Sequence, residues 1–405
     1  MTDLYLQGAD LLTRFSALDS FLCAHQTLWR PRPFTQRVLP WESEHPQLAA
    51  WLRARSLEQA EAAHHQPEQL DAPGIFAGLA RTSASLSQIG PLPHVALHPA
   101  AARLNVDVPG RKWQQIEAFG RCLDFEQPAQ HWLDWCAGKG HLGRRLLQGQ
   151  QALTCLEYDP ALVQAGQQLS AHHQLGADHV QQDVLADTLP LHAQHTPVAL
   201  HACGDLHVRL LQRASAVGCS QMAIAPCCYN RTQYTPYSGL SEPARASRLH
   251  LDRDDLGLPL SETVTAGARV RRQRDHSMTR RLAFDLWQRQ ARGVDEYLPT
   301  PSLPVAWLDK PFVQYCQDLA ALKGLALPPA AWDTLEHAGR ARLAEVRNLE
   351  LVRNLFRRPL ELWLVLDRAL YLQERGYDVR VGTFCAHELT PRNLMIVAQT
   401  PKACG

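Results

Sequence analysis

Short apolar runs alternate with longer amphipathic segments between residues 131 and 230. This alternation is typical of parallel strands joined by crossover helices. The pattern predicts strands at 131–136, 153–157, 179–183, 197–203 and 220–226, with helices at 160–175 and 206–217. In a sheet of this kind the chemistry gathers at the carboxyl ends of the strands. We therefore look for functional residues where each predicted strand ends.

The chain on either side of this region has a different pattern. Residues 1–105 show helical periodicity, and prolines interrupt it near residues 31–40. A helical domain is expected there, either packed on the α/β core or recognising a substrate, and the residues do not decide between these roles. After residue 230 comes a long polar segment. A long helix at 336–375 and strands at 377–384 and 393–398 then complete the sheet.

The first predicted strand breaks into a glycine-rich turn and restarts as a helix. Gly138 and Gly140 allow a ligand to approach the backbone, and the following helix offers unpaired N–H groups. Glu157 ends the next strand, where an acid can bind ribose hydroxyls, although a surface acid is also common at such a position. The spacing D-x-C-A-G-x-G differs from the G-x-G-x-x-G of dinucleotide binders. It favours S-adenosylmethionine over NAD.

Three motifs, at Asp134–Leu142, His201–Leu206 and Ala225–Asn230, occur in the order found in one enzyme family. They resemble class I S-adenosylmethionine-dependent methyltransferases, and most of all a methyltransferase-like subgroup with GKGHL, HACGDL and CCYN motifs. The layout is also similar to that of the tRNA 2'-O-methyltransferases of the acceptor stem, whose fifth strand ends in Cys-Cys-His-His. Here Cys136 replaces the family's usual first glycine, and no cysteine/histidine zinc modules flank the domain.

The resemblance, which covers roughly residues 110–400, implies an α/β fold with a Rossmann-like, seven-stranded class I methyltransferase sheet. The periodicity of residues 1–105 adds an N-terminal helical domain, and the long polar segment after residue 230 adds a large insertion after the fifth strand. The predicted segments are a helical N-terminal domain (1–105), the cofactor-binding half of the core (106–230), an arginine-rich insertion (231–335), and a C-terminal helix with the closing strand hairpin (336–405). That terminal hairpin resembles the reversed pair that closes class I sheets.

The resemblance also implies which residues bind S-adenosyl-L-methionine. Asp134 would approach the amino-acid end of the cofactor, Glu157 the ribose and Asp183 the adenine amino group. His201 and Ala202 would lie under the methionine moiety. The predicted cofactor set is Asp134, Cys136, Ala137, Gly138, Lys139, Gly140, His141, Leu142, Glu157, Tyr158, Asp183, Val184, His201 and Ala202.

The predicted catalytic residues follow the fourth and fifth strands. They are Asp205, Cys227, Cys228, Tyr229 and Asn230. Asp205 can orient or deprotonate a substrate hydroxyl or amine, or it can cap the helix that follows. Tyr229 and Asn230 offer uncharged hydrogen-bonding groups.

Cys227 and Cys228 allow three interpretations. They form a buried structural pair, they take part in metal or redox chemistry, or one of them is a nucleophile that adds to a pyrimidine ring. Metal or redox chemistry requires partners such as Cys203 or His201 to converge, and no C-x-x-C spacing supports it. We therefore predict no metal.

The segment 231–293 contains twelve arginines, no lysine and seven acids, which gives it a net charge of +5. The planar guanidinium of arginine can donate two parallel hydrogen bonds to a phosphate group. Because the insertion follows the fifth strand, we expect it to overhang the active site, although its arginines could instead pair with neighbouring acids. The predicted substrate-binding residues are Arg269, Arg271, Arg272 and Arg274.

Composition sets the remaining limits. The net charge of +1 gives no overall attraction to nucleic acid, so binding must use local patches. The sequence has no membrane-spanning apolar run and no secretion signal, and its eleven cysteines follow no disulfide framework, which predicts reduced thiols in the cytoplasm.

We predict a methyltransferase acting on RNA, with tRNA favoured, no membrane association and no structural metal. The alternatives are a methyltransferase acting on a ribosomal or translation protein and a non-catalytic cofactor-binding scaffold.

Overall fold

The computed structural model describes residues 5–101, 103–261, 268–326 and 330–401. The chain forms two compact units. The first comprises Met1–Ala24, Leu86–Glu262 and Arg358–Gly405, and the second comprises His25–Ser85 and Thr263–Arg357. These units divide the chain differently from the segments predicted at 105, 230 and 335. In the first unit, for example, Asp19 of the N-terminal segment accepts hydrogen bonds from Trp363 Nε1 and the Ser247 hydroxyl.

The first unit contains one mixed, mostly parallel sheet. Its strands are β1 (Leu6–Gln7), β2 (His131–Trp135), β3 (Ala152–Glu157), β4 (Asp178–Gln181), β5 (His195–Cys203), β6 (Gln221–Cys227), β7 (Asp378–Thr383) and β8 (Leu394–Gln399). Their order is β1-β7-β8-β6-β5-β2-β3-β4. Strands β2 to β6 are parallel, whereas β8 pairs antiparallel with both β6 and β7.

In the part of the chain that the structure describes, the sheet has eight strands, one more than the seven predicted. The additional strand is β1, a two-residue edge strand that pairs antiparallel with β7 through Leu6 and Val381. Two residues are too few for an alternating pattern to be visible in the sequence. The other seven strands lie within two residues of their predicted positions.

The described residues form fourteen α-helices. They are α1 (Ala9–Ala24), α2 (Gln26–Trp29), α3 (Pro46–Arg53), α4 (Leu57–Ala63), α5 (Phe76–Ser87), α6 (Gly110–Arg121), α7 (His141–Leu146), α8 (Pro160–His172), α9 (Asp205–Val217), α10 (Glu242–Ala246), α11 (Ala268–Arg292), α12 (Phe312–Leu322), α13 (Trp332–Asn354) and α14 (Arg357–Gln373). None of the helices in the described ranges has both the length and the apolar character needed to cross a membrane.

The predicted helix at 336–375 is two helices, α13 and α14, and the prediction of one continuous helix was wrong. Pro359 has no N–H group, so it cannot bond to the carbonyl of Leu355 as a continuous helix requires. That carbonyl instead accepts a hydrogen bond from the Ser83 hydroxyl. The break separates α13 of the second unit from α14 of the first.

Each unit has its own apolar core. In the first unit Ile116 and Phe119 of α6 pack with Trp132, Val198 and Met395 of the sheet. This packing fixes α6 beside the carboxyl ends of the central strands.

In the second unit, α11 and α13 approach closely where Gly339 meets Ala283. A Cβ atom at Gly339 would lie 2.6 Å from the Ala283 side chain. Phe284, Trp287 and Tyr315 form the nearby core.

Candidate functional site

The carboxyl ends of β2, β3, β5 and β6 lie along one edge of the parallel sheet, as the register of these strands requires. Three non-glycine residues at these ends have left-handed backbone. They are Cys136 (φ +55°), His201 (φ +72°) and Cys228 (φ +48°). Such conformations cost about 1–3 kcal/mol each and cluster at functional sites. The backbone itself therefore points to this edge as the functional site.

The turn after β2 depends on its backbone geometry. Cys136 has the left-handed conformation that glycine adopts most easily, at the position where the resemblance expects glycine. Gly140 (φ +72°) precedes α7, and a Cβ atom there would lie 2.6 Å from Cε1 of His179 and 2.9 Å from Sγ of Cys155. Gly138 has open space, because a Cβ atom there would meet nothing within 4 Å. Gly140 is thus required for packing, while Gly138 leaves room for a ligand.

The Glu157 carboxylate is fixed by the backbone around it. Gly138 N–H donates to Oε2 over 2.8 Å, and the N–H groups of Tyr158 and Asp159 donate to Oε1 over 2.9 and 3.0 Å. A carboxylate has about four acceptor positions, so capacity remains for a hydroxyl group. The structure therefore places Glu157 beside the open glycine turn, with acceptor capacity to spare, and its predicted ribose-binding role stays a prediction.

Asp134 lies beneath the turn and is 2% exposed. Its Oδ2 accepts the Gly143 N–H of α7 over 2.8 Å. Burial raises the pKa of Asp134 to about 6, against the opposing effect of this hydrogen bond. Asp134 thus supports the start of α7, and its predicted role at the amino-acid end of the cofactor stays a prediction.

Arg144 is a supporting residue that sequence reasoning missed. The buried guanidinium donates to the Lys139 carbonyl over 2.6 Å and to Ser170 Oγ over 3.3 Å, and it lies 3.1 Å from Nδ1 of His141. It therefore joins the glycine turn to α7 and α8. Its only sequence signal is its position one turn after the glycines.

The remaining predicted cofactor residues surround the same edge. Asp183 is exposed after β4 and its Oδ1 accepts the Leu185 N–H over 2.9 Å, while Val184 is buried.

The His201 Nε2 atom lies 2.6 Å from Oε1 of Gln115 on α6. Gln115 is a second residue that sequence reasoning missed. Tyr158 and Lys139 are exposed, while Ala202 and Leu142 are buried, and Ala137 packs partly buried against the core.

Asp205 is the first residue of α9 and does not cap it with its side chain. Instead, its Oδ2 accepts the Gln233 N–H over 2.7 Å, and its own N–H donates to the Arg231 carbonyl over 2.9 Å. Gly204 makes this contact possible, because a Cβ atom there would lie 1.9 Å from the Arg231 carbonyl oxygen. The carboxylate of Asp205 is thereby oriented by the chain that follows β6.

Tyr229 lies in the interior and is 1% exposed. The Arg368 guanidinium lies 5.2 Å from the centre of its ring and donates through Nε to Nε2 of His207 over 2.7 Å. The other ring nitrogen of His207 lies 3.0 Å from the Ala202 carbonyl, so His207 is neutral and donates through Nδ1. Tyr229 thus packs against Arg368 in the interior, and its predicted catalytic role stays a prediction. Asn230, by contrast, is half-buried.

The structure brings a third cysteine to Cys227 and Cys228. The Sγ atoms of Cys203, Cys227 and Cys228 all lie within 4.8 Å of one another. This is the convergence that metal or redox chemistry requires, with Cys203 as the partner. His201 instead contacts Gln115.

A groove of about 450 Å³ lies beside Asp205 in the first unit. Arg209, Tyr234 and Tyr237 line it, together with Leu185. Tyr234 is 67% exposed, so one face of an aromatic ring is available in a groove that begins at a predicted catalytic residue.

The four predicted substrate-binding arginines lie at the start of α11, in the second unit. Arg269, Arg271 and Arg272 are exposed, whereas Arg274 is half-buried and lies 3.6 Å from Asp275. Other arginines of α11 are buried, such as Arg289. The placement of these arginines over the active site stays a prediction.

Residues 111–234 match the family model described as a methyltransferase domain. The chain therefore contains a methyltransferase domain. The match extends from α6 past the cysteine cluster, so it includes the glycine turn, Glu157 and Asp205. A solved structure described as a possible exported protein from Bordetella parapertussis matches 97% of this chain and 96% of that chain, at 14% identity and a TM-score of 0.25. Similarity this low carries no information about the methyltransferase domain.

Proposed function

We propose that this protein transfers a methyl group from S-adenosyl-L-methionine to RNA, with tRNA as the favoured class of substrate. The observation that carries the proposal is the Glu157 carboxylate, which three backbone N–H groups hold beside the open turn at Gly138. The remaining acceptor positions of this carboxylate suit the hydroxyl groups of the cofactor's ribose. Asp183 and Val184 would hold the adenine, and His201 and Ala202 would lie near the methionine moiety.

The cofactor supplies a methyl group on a sulfonium, which is a strong electrophile. The protein has to align a nucleophile and, for some substrates, accept its proton. Asp205 is suited to both tasks because the Gln233 N–H fixes its Oδ2 atom. Asn230 can position a neutral substrate group.

Two features support RNA as the substrate. The groove beside Asp205 presents the exposed ring of Tyr234 with Arg209, a combination that suits a base stacked next to a phosphate. The start of α11 adds the exposed arginines Arg269, Arg271 and Arg272. The resemblance to the tRNA 2'-O-methyltransferases favours tRNA among RNAs.

The test is the transfer of labelled methyl from S-adenosyl-L-methionine to total RNA and, separately, to total protein, both from a strain that lacks the gene. We expect label in RNA, and nucleoside analysis of that RNA then identifies the modified atom. The matched control is Asp205→Asn, which should bind the cofactor normally and transfer little label. Label in protein alone would favour the protein-methyltransferase alternative. Cofactor binding without transfer to either fraction would favour the scaffold.

A further inference from the structure

The thiols of Cys203, Cys227 and Cys228 meet at the carboxyl ends of two neighbouring strands. Cys203 ends β5 and Cys227 ends β6, and the two residues are partners in the register of these parallel strands. A register shift between Leu200 and Cys203 produces this pairing. The three sulfur atoms lie within 4.8 Å of one another.

Cys228 contributes the third sulfur atom of the cluster because its backbone departs from strand geometry. Consecutive side chains of a strand point to opposite faces, so Cys227 and Cys228 could not both reach one point within a regular strand. Cys228 leaves the strand with φ +48°. Its carbonyl accepts the Arg231 N–H over 2.9 Å, and the Cys227 carbonyl accepts the Gly204 N–H over 3.1 Å. Backbone contacts thus hold two consecutive cysteines at one cluster.

The spacing of the sulfur atoms matches metal coordination. The Sγ atoms of Cys203 and Cys227 are 3.7 Å apart. Two thiolates on one tetrahedral zinc ion, each about 2.3 Å from it, are about 3.8 Å apart. A disulfide would require about 2.05 Å. The distance between Cys203 and Cys227 is therefore compatible with two ligands of one ion and too long for a disulfide.

We propose that Cys203, Cys227 and Cys228 bind a zinc ion and leave its fourth coordination position open. Soft thiolate ligands select zinc among the common divalent ions, and three protein ligands with one open position are typical of reactive zinc sites. Among the described residues no further histidine, cysteine or acid joins the group. The proposal does not depend on methyl transfer.

Three thiolates on one divalent ion together carry one negative charge. The sequence analysis named Cys203 as a partner that metal chemistry would require, but sequence alone could not show that Cys203, 24 residues before Cys227, converges with it.

The first experiment measures zinc in the reduced full-length protein after incubation with Zn²⁺ and removal of the excess. We expect about one equivalent in the wild type. Cys203→Ser and Cys228→Ser should each weaken zinc binding by at least about 100-fold. The matched control is Cys219→Ser, which replaces another buried thiol of the first unit, one that donates to the His192 carbonyl. It should bind zinc like the wild type.

The second experiment needs no variant and so remains decisive if a serine variant fails to fold. The wild type is alkylated with and without Zn²⁺, and each cysteine is followed by mass spectrometry. We expect Zn²⁺ to protect Cys203 and Cys228, the two partly exposed thiols of the cluster, but not Cys136. The proposal is overturned by unchanged alkylation of Cys203 and Cys228, by serine variants that retain full zinc, or by a Cys203–Cys227 disulfide in place of the ion.

Discussion

Glu157 in the first unit and Asp285 in the second are held in different ways, although both units contain ion pairs. In the first unit, Glu157 accepts three backbone N–H groups, and Asp367 accepts those of Leu240 and Ser241. In the second unit, Arg289 binds Asp285 over 2.9 Å and Asp295 over 2.8 Å. Amide dipoles fix a carboxylate without cancelling its charge, whereas an ion pair cancels it. Chemistry that needs a charge at a fixed point is therefore expected in the first unit.

The same comparison revises the view of the arginine-rich segment. Its net charge of +5 overstates the positive surface, because Arg280 and Arg289 are buried with protein partners. Among the described arginines of α11, the exposed ones lie at its start: Arg269, Arg271 and Arg272. Four predictions test this contrast between the units.

The largest effect is expected at Gly204, where a Cβ atom would lie 1.9 Å from the Arg231 carbonyl oxygen. Gly204→Ala should reduce the free energy of unfolding by about 4 kcal/mol. The new Cβ atom would clash with the Arg231 carbonyl, and alanine would be strained at the positive φ of this position. The matched control is Gly218→Ala at the other end of α9. Its φ is +77° and its surroundings are open, so it should cost only about 1 kcal/mol. Urea denaturation measures the free energy of unfolding of both variants. Equal losses of stability in Gly204→Ala and Gly218→Ala would contradict the steric argument.

The next effect is a pH dependence at Asp134. Burial raises its pKa to about 6, above its unfolded value, so the folded state binds the proton more tightly. This contribution is present below about pH 4 and is lost as the pH rises to about 6, a change of about 3 kcal/mol. Asp134→Asn should therefore gain stability relative to the wild type across that range.

The control for Asp134 is Asp187→Asn, the same change at a fully exposed side chain. Its unfolding free energy should run parallel to that of the wild type from pH 4 to pH 7. Parallel curves for Asp134→Asn as well would show that this carboxylate is not destabilised by burial.

The third prediction concerns Glu157, whose negatively charged carboxylate is held in place by three backbone N–H groups. Glu157→Gln keeps the shape but removes the negative charge, so affinity for S-adenosyl-L-methionine should fall about 10- to 100-fold, as expected for hydrogen bonds to a charged group. Isothermal titration calorimetry measures it. Glu388→Gln, at an exposed position, is the control and should bind normally. Unchanged affinity in Glu157→Gln would remove the observation on which the proposed function rests.

The smallest effect is expected in the second unit. Replacing Arg269, Arg271 and Arg272 together with glutamine should weaken RNA binding about fivefold and reduce its salt slope by about 2. Fluorescence anisotropy at several salt concentrations gives both values. The control replaces the exposed arginines Arg81, Arg340 and Arg375 in the same way, and it removes the same total charge. Equal losses in both triple variants would mean that only net charge matters.

Local patterns predicted the strands and the glycine turn because the relevant signals are contiguous. Contacts between distant segments were not predictable. Gln115 and His201 meet across 86 residues, and Cys203 joins its cluster through a register shift that no period reveals. The division of the long helix depends on Pro359 and on a hydroxyl from Ser83 in a distant segment. The pairing of arginines with acids likewise depends on three-dimensional neighbours rather than on counts.

The position of β8 has a consequence for biosynthesis. This strand lies between β6 and β7 in the sheet, yet it is the last strand to leave the ribosome. Until it arrives, β6 presents an unpaired edge. The nascent chain must keep this edge from pairing with other chains while the residues between β6 and β8 are made. The sheet of the first unit is therefore completed only after both segments of the second unit have been synthesised.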